Sequence, residues 1–243
     1  MYAVITAVVC AVLLNVTAAV FIVLRATVYG VRLYRPMLVN IALSFVPVVL
    51  AIAGAIGLIV LTPALAGIGS AGISPALFLW GYLAIATVVW LLFFPNSVYL
   101  ITELNLNHRE RKTPVPLWYD IVQTLTLTVS GIANAVLSLA IVQFGLIVLV
   151  FDPVALTAPA ASWVFAGVVI VLGAVGVYLG RYLRFNSWDV RHPGGMVRKL
   201  RAHFAIRGKT LEAIGFVVSH ALLVALIYVP LFSLTVAALS VAR

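Results

Sequence analysis

Charge is scarce in this 243-residue chain: 9% of its residues are charged, six are acidic, and there is a single cysteine. A water-soluble domain carries about a quarter charged residues, so this chain has too little polar surface to cover one. The lone Cys10 excludes an internal disulfide and a cysteine metal cluster. His108, His192 and His203 lack metal-ligand spacing, and no HExxH, paired CxxC, P-loop or GxSxG pattern occurs. No metal and no cofactor is therefore expected. No loop reaches the length of a soluble domain, and no internal repeat suggests inverted transporter halves.

What is present is apolar: 65% of the residues, gathered into long runs. Six runs are long enough to cross a bilayer core as helices, at Tyr2–Leu24, Met37–Leu61, Ala76–Ile101, Tyr119–Val150, Ala160–Tyr182 and Leu211–Leu239. They are continuous rather than alternating, which favours helices over a barrel. The expected fold is all-α: a single polytopic membrane domain over residues 1–243, with six transmembrane helices. The fourth run reads as one long helix. The first lacks a basic leader region and exceeds the apolar core of a signal peptide.

The sparse charge is sorted. Fourteen of the fifteen basic residues fall in the first, third and fifth connections, and five of the six acids share that side. Positive-inside bias makes that side cytoplasmic and puts the N-terminus and C-terminus both outside. The expected location is the cell (plasma) membrane, as in a bacterial inner membrane. A net charge of +9 beside membrane spans points to anionic lipid headgroups at Arg181–Lys209, not to nucleic acid. Within that segment Val197, Leu200 and Phe204 recur at helical spacing beside Arg198, Lys199 and Arg201, the pattern of a helix resting on the inner leaflet. The oligomeric state is not legible.

Three constellations gather on the charged side. Phe94-Pro95-Asn96-Ser97 closes the third span; Pro95 cannot donate to the carbonyl of Leu91, which predicts a bend there, with Asn96 and Ser97 capping the helix beyond. Tyr99 and Glu103 then share a face. Pro116-Leu117-Trp118-Tyr119-Asp120 enters the fourth span, after which Asp120, Gln123, Thr126, Ser130, Asn134 and Ser138 line one helical stripe. That stripe is either an interhelical hydrogen-bonding seam or the wall of a hydrated cavity. Arg181 and Arg184 close the fifth span on one face, followed by Asn186, Ser187, Trp188 and Asp189, and either arginine is placed to meet Asp120 or Glu103. His220 lies deep in the sixth span, as a functional residue or as a structural one bonded to a neighbouring span.

On Phe94-Pro95-Asn96 with Tyr99, Thr102 and Glu103, on Pro116 with Trp118-Tyr119-Asp120, and on Gly180-Arg181 with Arg184 and Asn186-Ser187-Trp188-Asp189, the chain resembles a bacterial integral-membrane family catalogued as domain of unknown function 1361. Members of that family more often carry Asp where this chain has Glu103. The resemblance implies a shared fold and a shared site, not a reaction. The expected site is a polar, cytoplasm-facing pocket of Asn96, Tyr99, Glu103, Trp118, Tyr119, Asp120, Arg181, Arg184, Asn186, Trp188 and Asp189. The expected function is transport or small-ligand binding; the alternatives are an enzyme acting on lipid headgroups and a non-catalytic scaffold.

Overall fold

The computed structural model describes residues 2–69, 74–103, 114–151, 158–183 and 193–241. Every regular element among them is helical, and six helices are long and apolar enough to cross a membrane. The protein is an all-α membrane protein. The chain forms two compact units, Met1–Asp152 and Pro153–Arg243.

The first unit holds α1 (Tyr2–Tyr29), α2 (Arg35–Gly69), α3 (Pro75–Phe93), the short α4 (Pro95–Tyr99) with a 3-10 turn (Leu100–Glu103), and α5 (Leu117–Leu146), which runs on through a π-turn (Ile147–Phe151). The fourth span is thus one long helix. In it the pattern of a soluble helix is turned inside out. Ile121, Val122, Leu125 and Val129 are exposed on the lipid-facing side, while Asp120, Gln123, Ser130, Asn134 and Ser138 are buried. Lipid is as apolar as leucine, so helices gain little by hiding leucine from it; close packing and interhelical hydrogen bonds hold them together. Accordingly α5 packs against α1, α2 and the α4 segment, and α3 packs on α2.

Proline acts differently at Pro47, Pro95 and Pro230. α2 continues through Pro47, and the sixth spanning helix continues through Pro230. At Pro95 the helix is interrupted: α3 ends at Phe93, and Phe94 keeps helical dihedrals while donating to the Trp90 carbonyl at 2.9 Å. No side chain caps α4, contrary to the expectation for Asn96 and Ser97. The Ser97 hydroxyl instead donates across to the Ser44 carbonyl of α2 at 2.6 Å. A helical carbonyl oxygen keeps a second lone pair, which lets the Ser44 carbonyl accept from outside its own helix. Gly131 lets the broken helix come close: a Cβ there would stand 2.6 Å from the Ser97 carbonyl oxygen and 2.7 Å from Leu100 Cβ.

The second unit holds α6 (Ala160–Tyr178) with a π-turn (Leu179–Leu183), the amphipathic α7 (Pro193–Phe204), and α8 (Lys209–Val241). The buried face of α6 is Ser162, Ala166, Val169, Ile170, Gly173, Ala174, Val177 and Tyr178, small residues alternating with branched ones, and it packs on α8. α7 and α8 are joined by a tight corner at Gly208, whose φ of 89° suits glycine.

Candidate functional site

Two polar systems lie in the first unit, both built on α5. The deeper one is closed. Asn15 and Asn134 face each other across α1 and α5 and exchange amide hydrogen bonds at 2.9 and 3.0 Å. The second N–H of Asn134 donates to Ser44 Oγ at 3.0 Å, and Asn15 also donates to the Ala11 carbonyl at 2.7 Å. Ser44 Oγ passes its own proton to the Ile41 carbonyl at 2.8 Å. Further along the stripe, Ser130 and Ser138 bond carbonyls of their own helix, those of Leu127 and Ala135. Asn134, Ser130 and Ser138 are fully buried. These bonds tie α1, α2, α4 and α5 into one seam.

The shallower system lies where α1 ends and α5 begins. Arg25 Nε donates to Asp120 Oδ1 at 2.9 Å, with Asp120 6% exposed and the Arg25 side chain 26% exposed. A carboxylate at that depth needs such a partner, because stripping its water is costly. The residue beside it completes a clamp. Tyr119 donates its hydroxyl to the Phe21 carbonyl at 2.8 Å and meets the rings of Phe21 and Tyr29 edge-on. Phe21 is one turn before Arg25, so Tyr119 and Asp120 together hold the last two turns of α1. Trp118 points away, exposed and edge-on to Tyr119.

On the neighbouring side, Asn40 of α2 donates to Glu103 Oε1 at 3.3 Å. Thr102 bonds the Tyr99 carbonyl at 2.7 Å; Tyr99 and Asn96 are half-buried. Gln123 lies one turn along α5 from Asp120. Its Nε2 reaches Met37 Sδ of α2 at 3.9 Å, and Met37 lies three residues from Asn40 on the same helix face. Gln123 is 4% exposed, and its Oε1 has no hydrogen-bond partner among the described residues. Three pairs, Arg25–Asp120, Asn40–Glu103 and Gln123–Met37, thus draw on α1, α2, the 3-10 turn and α5.

In the second unit, Arg181 sits half-buried in the π-turn. Around that turn an aromatic cluster forms: Tyr178 and Tyr182 stack at 4.6 Å, and Phe216 of α8 meets both edge-on. The Tyr178 hydroxyl and His203 Nε2 of α7 are hydrogen-bonded at 2.7 Å. His220 bonds the Phe216 carbonyl of its own helix at 2.9 Å and stacks on that ring, rather than reaching a neighbouring span. Arg184, Asn186, Trp188 and Asp189 lie outside the described residues, as does His108. Among the described residues no cluster of three His, Cys, Asp or Glu is placed to hold a metal.

Sequence reasoning singled out Asp120, Tyr119, Glu103, Gln123 and Asn134 but missed their partners Arg25, Asn40, Asn15 and Ser44. The signals were there. Asn15 is a lone amide in an apolar run, Asn40 and Ser44 are four apart in the second span, and Arg25 closes the first. In the sequence Arg25 reads only as topological charge.

A family model described as a protein of unknown function, DUF1361, matches residues 39–227, well over half of the chain. The chain belongs to that family. No curated protein and no solved structure matches it.

Proposed function

We propose that this family member binds a small polar solute at the Arg25–Asp120 end of its first unit, as the entry step of transport. What supports the reading is three contacts between segments at one end of the unit, Arg25–Asp120, Asn40–Glu103 and Gln123–Met37, drawn from four separate segments. Charged and amide side chains gathered inside a membrane bundle mark solute pathways more often than anchors. With the topology that the basic loops predict, this end faces the cytoplasm. The closed Asn15–Asn134–Ser44 seam is then the floor beneath the site, which a transport cycle has to open.

Reconstituted vesicles test this. Wild-type protein should move or bind at least one member of a panel of small polar solutes. Asp120→Asn should lose that flux while its membrane abundance is unchanged, since the half-exposed Arg25 keeps access to water. Zero flux of every solute sinks the transport reading. A fall in abundance matching the fall in flux supports the scaffold reading instead. An altered phospholipid profile in deletion cells supports the headgroup enzyme.

A second reading concerns the other unit, and the geometry of α7 favours it. Met196, Leu200 and His203 turn inward, while Val197 and Phe204 on the adjoining strip stay exposed beside exposed Arg198, Lys199 and Arg201. An exposed apolar strip flanked by cations suits the headgroup layer of an anionic leaflet. Val197→Cys, in a background lacking Cys10, should react more slowly with a water-soluble maleimide in nanodiscs containing phosphatidylglycerol than in phosphatidylcholine alone. Equal rates remove the anionic preference.

A further inference from the structure

The end of α1 is fastened differently from the rest of that helix. Ala11, Asn15, Ala18 and Ile22 follow one another at three or four residues, and all four are buried. Ala18 and Ile22 sit in an apolar cluster with Ile41, Leu100 and Leu127. Beyond Ile22 the packed edge stops. From residue 23 to residue 29 no side chain is buried, and Val23, Leu24 and Val28 are exposed. What fastens this stretch is directional: Arg25 Nε on Asp120 Oδ1 at 2.9 Å, and the Tyr29 ring edge-on to Tyr119 at 5.1 Å between centroids. Tyr119 also reaches back to the Phe21 carbonyl at 2.8 Å. Its partners on α5 are rigidly set, since Tyr119 and Asp120 are each 6% exposed. Lipid takes the place of apolar neighbours when helices part inside a membrane, so parting here costs chiefly those few bonds. Contacts of that kind open locally, without unfolding their surroundings.

We propose that the last two turns of α1, residues 22–29, are a latch that swings away from α5. Its fixed end is the Asn15–Asn134 seam, where paired amides hold α1 to α5 at 2.9 and 3.0 Å. Its other end is Gly30, whose φ of 64° breaks the helix, followed by residues 31–34, which belong to no helix. A short non-helical link of that kind absorbs the dihedral change that a swing requires. Tyr119 and Asp120 are the catch. The role of the latch rests on the binding reading above: when it opens, Arg25 parts from Asp120 and a solute comes between them. The movement itself needs no solute and is tested without one.

Opening uncovers Ile22, so the rate at which a cysteine there reacts reads the open population. The reporter is Ile22→Cys with Cys10→Ala, in the full-length protein in nanodiscs, treated with a small water-soluble thiol reagent. Adding Tyr119→Phe keeps the ring contacts and removes the bond to Phe21. It should raise the rate constant about three- to tenfold, the worth of one hydrogen bond. Ala26→Cys, half-buried one turn along the same edge, leaves the apolar cluster intact and should show the same rise even if Ile22→Cys folds poorly. Ala11→Cys, on the far side of Asn15, should react equally slowly with and without Tyr119→Phe. Unchanged rates at both reporters overturn the latch. So does an equal rise at Ala11→Cys, which would mean that the whole of α1 loosens. The binding reading fails separately: a protein whose latch opens as expected but which neither binds nor moves any solute keeps the latch and loses the site.

Discussion

The polar stripe of α5 divides into two halves that obey different rules. In the deep half every amide is reciprocated: Asn134 against Asn15 and Ser44, with Ser130 and Ser138 turned back onto their own backbone. In the shallow half a carboxylate faces a half-exposed guanidinium, and an amide faces a thioether. Both halves are buried, and both were written by the same helical spacing. The difference is that the Asn134 amide is completed within the protein and the Gln123 oxygen is not. A closed seam specifies packing; an open one is left for something else to finish.

The largest effect expected from breaking this contrast is at the ion pair. Arg25→Met removes the cation at Asp120 and should destabilise the protein by about 3 kcal/mol, read as a melting point in detergent lower by about 6–12 °C. The double variant Arg25→Met, Asp120→Leu should recover more than half of that, because no carboxylate is then left in an apolar setting. A double variant no better than the single one would mean that the pair itself, and not the desolvated charge, holds α1 to α5.

Gly131→Ala comes next. Its Cβ collides with backbone as well as side chain, so the broken helix has to move away from α5, at about 2 kcal/mol. Ser97 should then lose its bond to Ser44. A wild-type melting point for Gly131→Ala would show that the approach of α4 to α5 is not fixed by this glycine.

How much of this was legible beforehand follows from what each signal depends on. The six spans and the long fourth helix were readable, because length and hydropathy set them and lipid imposes both. That Asp120 and Asn134 face inward was readable too, from helical spacing alone. Their partners were not. Arg25 and Asp120 are 95 residues apart and Asn15 and Asn134 are 119 apart, and nothing local in an apolar run says which helix it will meet. Ser97 departs from expectation for a related reason: a proline break suggests a local cap, but its hydroxyl finds an acceptor on another helix, the Ser44 carbonyl. His220 misled in the opposite direction, since its bond is to its own helix.

A smaller effect separates seam from backbone bonding. Asn134→Leu strands Asn15 and removes a donor from Ser44, and membrane hydrogen bonds of this kind average about 0.6 kcal/mol each, so the cost should be about 1–2 kcal/mol. Ser138→Ala, at equal burial on the same stripe, gives up only a bond to its own helix and should be close to neutral. Equal costs at the two positions would dissolve the distinction between interhelical seam and local bonding.

The smallest expected change is the most discriminating, because its sign is unusual. Replacing a buried polar residue normally destabilises, since its partner is left behind; at Gln123 the oxygen has no described partner to strand, and the nitrogen gives up only a sulfur contact. Gln123→Met should therefore leave stability unchanged or raise it, by up to about 1 kcal/mol, read as a melting point no lower than wild type. If Gln123→Met melts as low as Asn134→Leu, the shallow half of the stripe is as structural as the deep half, and the open oxygen is filled by water in the folded protein.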